Sequence, residues 1–423
     1  MLTLRVTQNT FFKQSTEPSE TLLINQKAFV EANSIFHIKS YFKQSRHIFV
    51  QLAEQIPPLG KSGFFFEDHI QIEEVRGVWL TNVDSDILDS EANITAGFQQ
   101  LKNLGFNTIY PVVWNRGFTL YPSPVAEEFI GKKVADQFKE RDLLAEIITA
   151  AKTHHFRVIP WFEYGLMTPE NSPLDKNKPE WITRKNTGEK IEDGNCWLNP
   201  CHPEVQQFMT ELIAHVVEKY DIDGIQLDDH FGMPASMGFD DFTKQLYRDE
   251  TGGANPTSNP NSSLWKKWRI NKVTNLLRQV FTAVKAKKED CIISISPNPL
   301  GFSTRKFLAD WHSWEREGLA EELVLQVYNR TPLIFEQELQ MPEVKDARNH
   351  IPTVIGIITG QRPEDKRVSI AKIKAEVEET RDRDFAGFSF FFFGSLFDLG
   401  FEDETPKIRK QAFADLLSIN QFV

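Results

Sequence analysis

From residue 74 onward the chain alternates between two rhythms. Short runs rich in β-branched and aromatic residues read as buried strands: EVRGVWLTN (74–82), FNTIYPVVW (106–114), FRVIPWFEY (156–164), DGIQLDDH (223–230), CIISISPNP (291–299), LVLQVYN (323–329), TVIGIIT (353–359) and GFSFFFF (387–393). Between most of them lie stretches of helical periodicity: ITAGFQQLKNLG, DLLAEIITAAKTHH, PEVQQFMTELIAHVVEKY, LWKKWRINKVTNLLRQVFTAVKAKK, STRKFLADWHSWEREG and SIAKIKAEVEETRDRD, with KIRKQAFADLLSIN (407–420) at the end. The Leu104-Gly105 step predicts a helix C-terminus, because glycine tolerates the left-handed conformation found there. Pro203 suits a first helical turn, where its missing N–H is not needed. Eight strand-helix units in series predict an α/β fold, a (β/α)8 TIM barrel over residues 74–423.

Residues 1–73 follow a different pattern. Apolar positions alternate without a helical stripe, and turn residues stand at NQ and PPLG. This predicts a small, mostly-β N-terminal domain, similar to SH3-like small barrels, with FFFEDHIQI (64–72) as its closing strand.

In a barrel, successive side chains of a strand point alternately to the helices and to the axis. Ile225 and Leu227 are apolar and share a parity, so Gln226 and Asp228 are expected on the axis, with Asp228 at the C-terminal rim where barrel active sites lie. The same test places Trp161 with Glu163, Ser294 with Ser296 and Asn298, Gln326 with Tyr328, and Tyr110 with Val112 and Trp114. Carboxylates close only two of the strands, Glu163 on the third and Asp228-Asp229 on the fourth, with His230 following. A carboxylate pair after a strand can also cap the next helix, and a rim Glu can pair with Arg116 or Arg184. Polar groups converging from four strands favour a functional site, since burying them without partners is costly.

Composition narrows the chemistry. The 423 residues are 40% hydrophobic and 25% charged, with a net charge of -11, which argues against nucleic acid as partner. No run of 18 apolar residues occurs, so no membrane span is expected, and the N-terminus shows no signal peptide; as written the chain reads as cytoplasmic, and a removed leader would place it in the cell envelope. Cys196, Cys201 and Cys291 form no disulfide framework and no CxxC, so they read as thiols. No cofactor is expected. A metal-dependent hydrolase could use Asp228, Asp229 and His230, but the HxH of many such barrels is missing from the first strand.

Two rim carboxylates among aromatic and amide side chains suit glycoside hydrolysis. One carboxyl protonates the leaving oxygen while the other attacks or activates water, and rings cover the C–H faces of sugars while amides and phenols bind their hydroxyls. The catalytic candidates are Asp228, Glu163 and Asp229, and the substrate-binding candidates are Trp79, Asn82, Tyr110, Trp114, Trp161, Gln226, His230, Asn298, Gln326 and Tyr328. Neighbouring strands about 4.8 Å apart would bring Glu163 and Asp228 toward the retaining separation. The loops 165–202, with Trp181 and Trp197, and 231–263, with Asp240 and Asp241, are long enough to wall a groove and to supply an acid. The rival to an enzyme is a barrel that binds carbohydrate without cleaving it.

The segments VRGVWLTN, GFNTIYPVVW, LNPCHPEVQQFM, DIDGIQLDDHFG, SISPNP, DWHSWEREGLAEELVLQVYN and GFSFFFF resemble, in order, those of the glycosyl-hydrolase-like family ten, over roughly residues 74–400. The resemblance implies a TIM barrel that hydrolyses a bacterial polysaccharide, with peptidoglycan glycan strands as a candidate substrate. It is not the xylanase family of the same number, which carries an Asn-Glu pair where this chain has Asp228-Asp229. DGIQLDD is also similar to the fourth strand of α-amylase-like barrels, where an Asp at the place of Asp228 is the nucleophile. Gln226 replaces the Arg of that group and SISPNP lacks its fifth-strand acid, so only Asp228 gains from that likeness.

Overall fold

The computed structural model describes residues 1–328, 331–361, 366–398, 400–401, 403–418 and 422. Asn329 of the sixth strand run and residues 419–420 of the last helical stretch lie outside them. The chain forms a mixed α/β fold in two compact units, one of residues 1–111, 149–159 and 321–423, the other of residues 112–148 and 160–320.

The first unit opens with a seven-stranded antiparallel sheet. Its spatial order is Lys27–Val30, Thr10–Lys13, Gly60–Phe66, His47–Ile56, Ile35–Gln44, Leu2–Val6 and Ile70–Ile72. Period-two alternation buries Leu4, Val6, Phe12, Val50, Leu52 and Phe65 on one side. The expected closing strand 64–72 is interrupted by a single 3-10 turn, Glu67–His69. The sheet docks on the rest of its unit, with the Lys43 amide donating to the His350 carbonyl at 2.7 Å and Tyr41 buried.

Six parallel strands follow in the same unit, in the spatial order Arg157–Val158, Thr108–Pro111, Val75–Leu80, Gly387–Phe391, Thr353–Ile358 and Glu322–Gln326. All six residues of Val75–Leu80 are buried, as a strand covered on both faces requires. Gly387, at φ +138°, would place a Cβ 2.1 Å from the Val75 carbonyl, so no side chain fits where these strands meet. Helix Glu91–Leu104 starts on Ser90, whose hydroxyl accepts the Asn93 amide at 3.1 Å, and ends on Gly105 at φ +100°, the expected left-handed cap. Near the strand starts, Arg157 and Glu322 form a buried ion pair at 2.5 Å, and the Tyr110 hydroxyl donates to the same carboxylate at 3.3 Å.

In the second unit, Val112 bridges to Trp161, and the strands Trp161–Phe162, Gly224–Asp228 and Ile292–Ser296 run parallel beside it. Helix Pro203–Lys219 begins with Pro203 in its first turn and buries Val205, Phe208, Met209, Leu212, Ile213 and Val216, the three-and-four spacing of a core-facing stripe. Each such side chain contributes roughly 1.5–3 kcal/mol on burial. Helix Ser263–Lys287 packs against it.

All eight expected strand runs are strands, the third being broken between Val158 and Trp161 by a segment containing Pro160. The helices Pro332–Leu339 and Pro342–Arg348, after the sixth strand, carried no readable stripe, because two prolines cut that stretch into pieces of eight and seven residues. STRKFLADWHSWEREG, expected as one helix, is split into Leu300–Lys306 and Trp311–Arg316. Leu308, at φ +54°, leaves the helical conformation between them.

Candidate active site

The second unit carries a polar ladder across its strand ends. Trp161, Gln226 and Ser294 stand level with one another, as do Asp228 and Ser296 one pleat higher. Gln226 Nε2 donates to Ser294 Oγ at 3.0 Å, and Ser296 Oγ donates to Asp228 Oδ1 at 3.0 Å. Gln226 and Asp228 therefore share one face with the serines, as the parity of Ile225 and Leu227 requires. Asp228 is 7% exposed, so the Ser296 bond acts where water competes little.

Glu163 follows Trp161–Phe162 on the adjacent strand. Asn115 Nδ2 holds its Oε2 at 2.7 Å. Burial and the neighbouring Asp228 push the Glu163 carboxyl up to about 8, against the pull of His230 and Arg116. Near neutral pH this glutamate keeps its proton.

His230 ties the carboxylates together. Its Nδ1 lies 3.3 Å from Asp228 Oδ2, 3.1 Å from Asp229 Oδ1 and 3.2 Å from the Glu163 carbonyl. Burial opposes a charge on the ring, but Asp229 and Asp228 outweigh it and raise the imidazole to about 10. Trp197 and Phe307 flank the ring at centroid distances of 5.8 and 5.6 Å, a setting that favours an imidazolium. Burial also raises Asp229, to about 8, with His230 drawing it down and Asp228 adding to the rise. Asn298 donates to Asp229 Oδ2, and the Asn298 carbonyl is fixed in turn by Trp311 Nε1 at 3.1 Å and Ser303 Oγ at 2.8 Å. Gly165, at φ +47°, passes so close that a Cβ would lie 2.4 Å from the His230 carbonyl carbon.

Seven of the expected residues thus share this unit's site or its immediate frame: Asp228, Glu163, Asp229, His230, Gln226, Trp161 and Asn298. Trp114 is placed differently. Val113 still donates to the Trp161 carbonyl at 2.9 Å, the ladder bond of the Val112–Trp161 bridge, but its own carbonyl turns away to accept from Leu120, and Trp114 packs on Phe208 of helix Pro203–Lys219 at 5.8 Å. Asn115 takes the position facing Glu163. The parity argument missed it because it assumed an unbroken strand. Trp79, Asn82, Tyr110, Gln326 and Tyr328 belong to the first unit, where Trp79 lies tilted on Tyr110 at 5.4 Å and Phe391 contacts both Trp79 and Tyr328.

The long loops are built as framework. Met167–Pro169 pairs with Asn195–Trp197, and Trp181 is buried against Phe208 and Phe129. Asp240 caps helix Asp241–Glu250 through the Thr243 amide at 2.8 Å and accepts from Thr183 and Asn199. With those bonds made, Asp240 is committed to holding the loops, and Asp241 is paired with Lys244 on the surface. Asp228, Asp229 and His230 each offer a ligand atom within 4.8 Å of the others, the geometry of a possible cation site. His230 Nδ1 already lies within 3.3 Å of both carboxylates, so the three groups are tied to one another as an ion-pair triad.

A family model for glycosyl hydrolase-like 10 proteins matches residues 74–378, nearly three quarters of the chain. The chain belongs to this family. Glycosyl hydrolase DigH of Escherichia coli K12 is 26% identical over 300 residues, covering 60% of this chain and 66% of DigH. Glycosyl hydrolase YngK of Bacillus subtilis is 25% identical over 284 residues, covering 60% of this chain and 54% of YngK. The chain therefore spans just under two thirds and about half of these relatives. The glycoside hydrolase domain of PgaB (BpsB) from Bordetella bronchiseptica superposes with a TM-score of 0.60 at 13% identity, covering 82% of this chain and 99% of that domain. At that identity the superposition shows a common fold, that of TIM-barrel glycoside hydrolases. Among the described residues no helix is long and apolar enough to cross a membrane.

Proposed function

We propose that this member of the glycosyl hydrolase-like 10 family is a glycosidase acting on a bacterial polysaccharide, with peptidoglycan glycan strands as the first candidate. In this reading a small β module, residues 1–73, precedes a closed (β/α)8 barrel, residues 74–423. Glu163 is the general acid and Asp228 the nucleophile or base. The observation that carries the assignment is the contrast between the two carboxyls on adjacent strand ends. Glu163 is half-buried and its carboxyl is pushed up to about 8, whereas Asp228, buried on the next strand, accepts from Ser296 and lies 3.3 Å from His230 Nδ1. A carboxyl that keeps its proton near neutral pH, one strand away from a second carboxyl held by a hydroxyl and an imidazole, is the arrangement that acid-assisted glycoside cleavage uses.

Asp229 and His230 then serve as a positioning pair. The imidazolium offsets the charge of two adjacent aspartates, and Asn298 fixes Asp229. Without that cation, little would oppose the rise that burial and the neighbouring Asp228 impose on Asp229.

The test is to incubate the protein with peptidoglycan glycan strands and other bacterial glycans and to assay new reducing ends, with Asp228→Asn as control. Release that disappears in the control supports the glycosidase. Glycan binding retained in both proteins with no release from either would instead identify a carbohydrate-binding barrel.

A further inference from the structure

The segment that follows strand Ile292–Ser296 is tied to the site at both of its ends. Asn298 donates to Asp229, and the Asn298 carbonyl accepts from Ser303 Oγ at 2.8 Å and from Trp311 Nε1 at 3.1 Å. Ser303 is the buried residue of the short helix Leu300–Lys306, so the helix is anchored to the residue that touches Asp229. Phe307, just beyond the helix, is fixed from the other side. Its carbonyl accepts the Met233 amide at 2.8 Å, and a Cβ on Gly232 would stand 2.4 Å from the same oxygen. Segment 298–307 and the loop leaving His230 are therefore locked together, and whatever the helix displays keeps a fixed place relative to the triad.

What the helix displays is a phenyl ring. Phe302 is 40% exposed, whereas Phe307 and Trp197 are buried. The Phe302 ring meets Phe307 edge to face at 6.0 Å, and Phe307 in turn meets His230 at 5.6 Å and Trp197 at 5.5 Å. A T-shaped contact takes up one edge or one face of a ring, so at least one face of Phe302 is left uncovered by it. The approach is open as well, since a Cβ on the neighbouring Gly301 would meet nothing within 4 Å.

Single exposed apolar side chains are ordinary on a protein surface, and the described residues of this unit expose three large ones, Phe242, Leu264 and Phe302. Phe242 contacts the ring of His202, which precedes helix Pro203–Lys219. Of the three, Phe302 is the one whose ring contacts lead back to the imidazole of the site.

The strand order gives the ring a side. Trp161–Phe162, Gly224–Asp228 and Ile292–Ser296 are consecutive neighbours. Glu163 follows the first, Asp228 ends the second and Phe302 follows the third, so the acid and the ring flank Asp228 on opposite sides. The acid serves the oxygen of the leaving sugar, which puts that sugar toward Glu163 and the retained part of the chain toward Phe302. The C–H face of a pyranose matches an exposed phenyl face without need of charge or hydrogen bond. Because Phe307 stands between Phe302 and His230, the sugar that reaches Phe302 lies beyond the one being cleaved.

We propose that Phe302 is the stacking platform for a sugar on the glycone side of the cleaved bond, a binding and not a catalytic residue; this rests on the glycosidase reading above.

Dinitrophenyl glycosides test it, because they carry no sugar on the leaving side and lengthening them extends only the glycone. Glycosides of one, two and three sugars are prepared from N-acetylglucosamine chains and, separately, from peptide-free chains that alternate N-acetylglucosamine with N-acetylmuramic acid. For wild type, kcat/KM should rise roughly tenfold from the single sugar to the longer glycones, mainly through KM. Dividing by the value for the single sugar removes any general effect of a substitution. That ratio should fall to near one in Phe302→Ala and in Phe302→Leu, which keeps apolar bulk without a ring, and should survive in Phe302→Trp.

A wild-type ratio near one, a Phe302→Ala ratio equal to that of wild type, or a Phe302→Leu variant that keeps the gain overturns the proposal. If wild type cleaves no glycoside, the glycosidase reading fails on its own account. Calorimetric titration of the free chains, without the dinitrophenyl group, into wild type and Phe302→Ala then decides the platform: roughly tenfold weaker binding in the variant supports it, and equal Kd refutes it.

Discussion

Replacing Glu163 with glutamine should separate two kinds of substrate. Glutamine keeps the volume and an oxygen to accept the Asn115 amide, so the folded structure and its melting temperature should hardly change. It removes the proton. A carboxyl titrating at about 8 is about 90% protonated at pH 7, whereas an ordinary glutamate near 4.3 would be protonated in only about 0.2% of molecules. The environment of Glu163 thus raises the working population of the acid by a few hundredfold, on the order of 4 kcal/mol. Loss of general acid catalysis costs roughly 100- to 10,000-fold, and that loss should fall on glycan substrates, whose leaving sugar must be protonated. Dinitrophenyl glycosides of the same sugar, whose leaving group departs unprotonated, should lose less than about tenfold. The assay is initial rate against pH from 5 to 10 with both substrates. Wild-type kcat/KM on glycan should decline above about pH 8 as Glu163 ionises, and the Glu163→Gln variant should lack that limb. Equal losses on both substrates, or an alkaline limb that survives in the variant, would show that the acid is another group.

Four further outcomes are expected. Ser296→Ala removes a 3.0 Å bond to a buried carboxylate, a loss of about 1.5–3 kcal/mol that should lower the melting temperature and, through the freed Asp228, kcat/KM; activity and melting temperature both equal to wild type would show that Asp228 is not held by this bond. Gly165→Ala forces a methyl onto the His230 backbone at a left-handed position, so both activity and melting temperature should drop, and a variant indistinguishable from wild type in calorimetry would contradict the packing described. Glu322→Gln leaves Arg157 buried without its counter-charge, and urea unfolding should register a loss of about 3–5 kcal/mol. Glu376 is buried in helix Ile370–Asp382, and burial lifts its carboxyl from 4.5 to about 7 despite Lys372 Nζ at 3.4 Å. The folded state therefore holds that proton more tightly than the unfolded chain, so its contribution is full below pH 4.5 and is lost as the pH rises through 7. Glu376→Gln should match wild type near pH 4.5 and exceed it at pH 8 by up to about 3 kcal/mol.

The parts of the molecule governed by strict periodicity were legible from the residues alone. Ile225 and Leu227 fixed which way Gln226 and Asp228 face, and the side-chain bonds to Ser294 and Ser296 follow from the same count on the next strand. Gly105 and Pro203 marked helix ends because each has a conformational property no other residue matches. What escaped was local irregularity. Where the Val113 carbonyl turns from the ladder to Leu120, Trp114 goes to the helices and Asn115 to the acid, and a period-two argument has no means of detecting the break. The Asn-Arg-Gly sequence at 115–117 did contain a hairpin signal, since a glycine ends a two-residue turn there. Asp240 shows the converse error: a carboxylate in a long loop suggested chemistry, and its Thr183, Asn199 and Thr243 bonds bind it into the scaffold.

Protonation states lie beyond any reading of residue types, because they depend on what each carboxyl is buried against. Glu163, Asp228 and Asp229 differ little as side chains, yet the site distinguishes them by their partners: an amide donor for Glu163, a hydroxyl and an imidazole for Asp228, and an amide with that same imidazole for Asp229. Three full negative charges in one dry site would repel each other too strongly to persist. Burial pushes both Glu163 and Asp229 up to about 8, and the His230 imidazole beside the aspartates draws Asp229 back down. The removable proton of Glu163 thus lies on the strand next to Asp228, which is the separation of roles that cleaving a glycosidic bond at neutral pH requires.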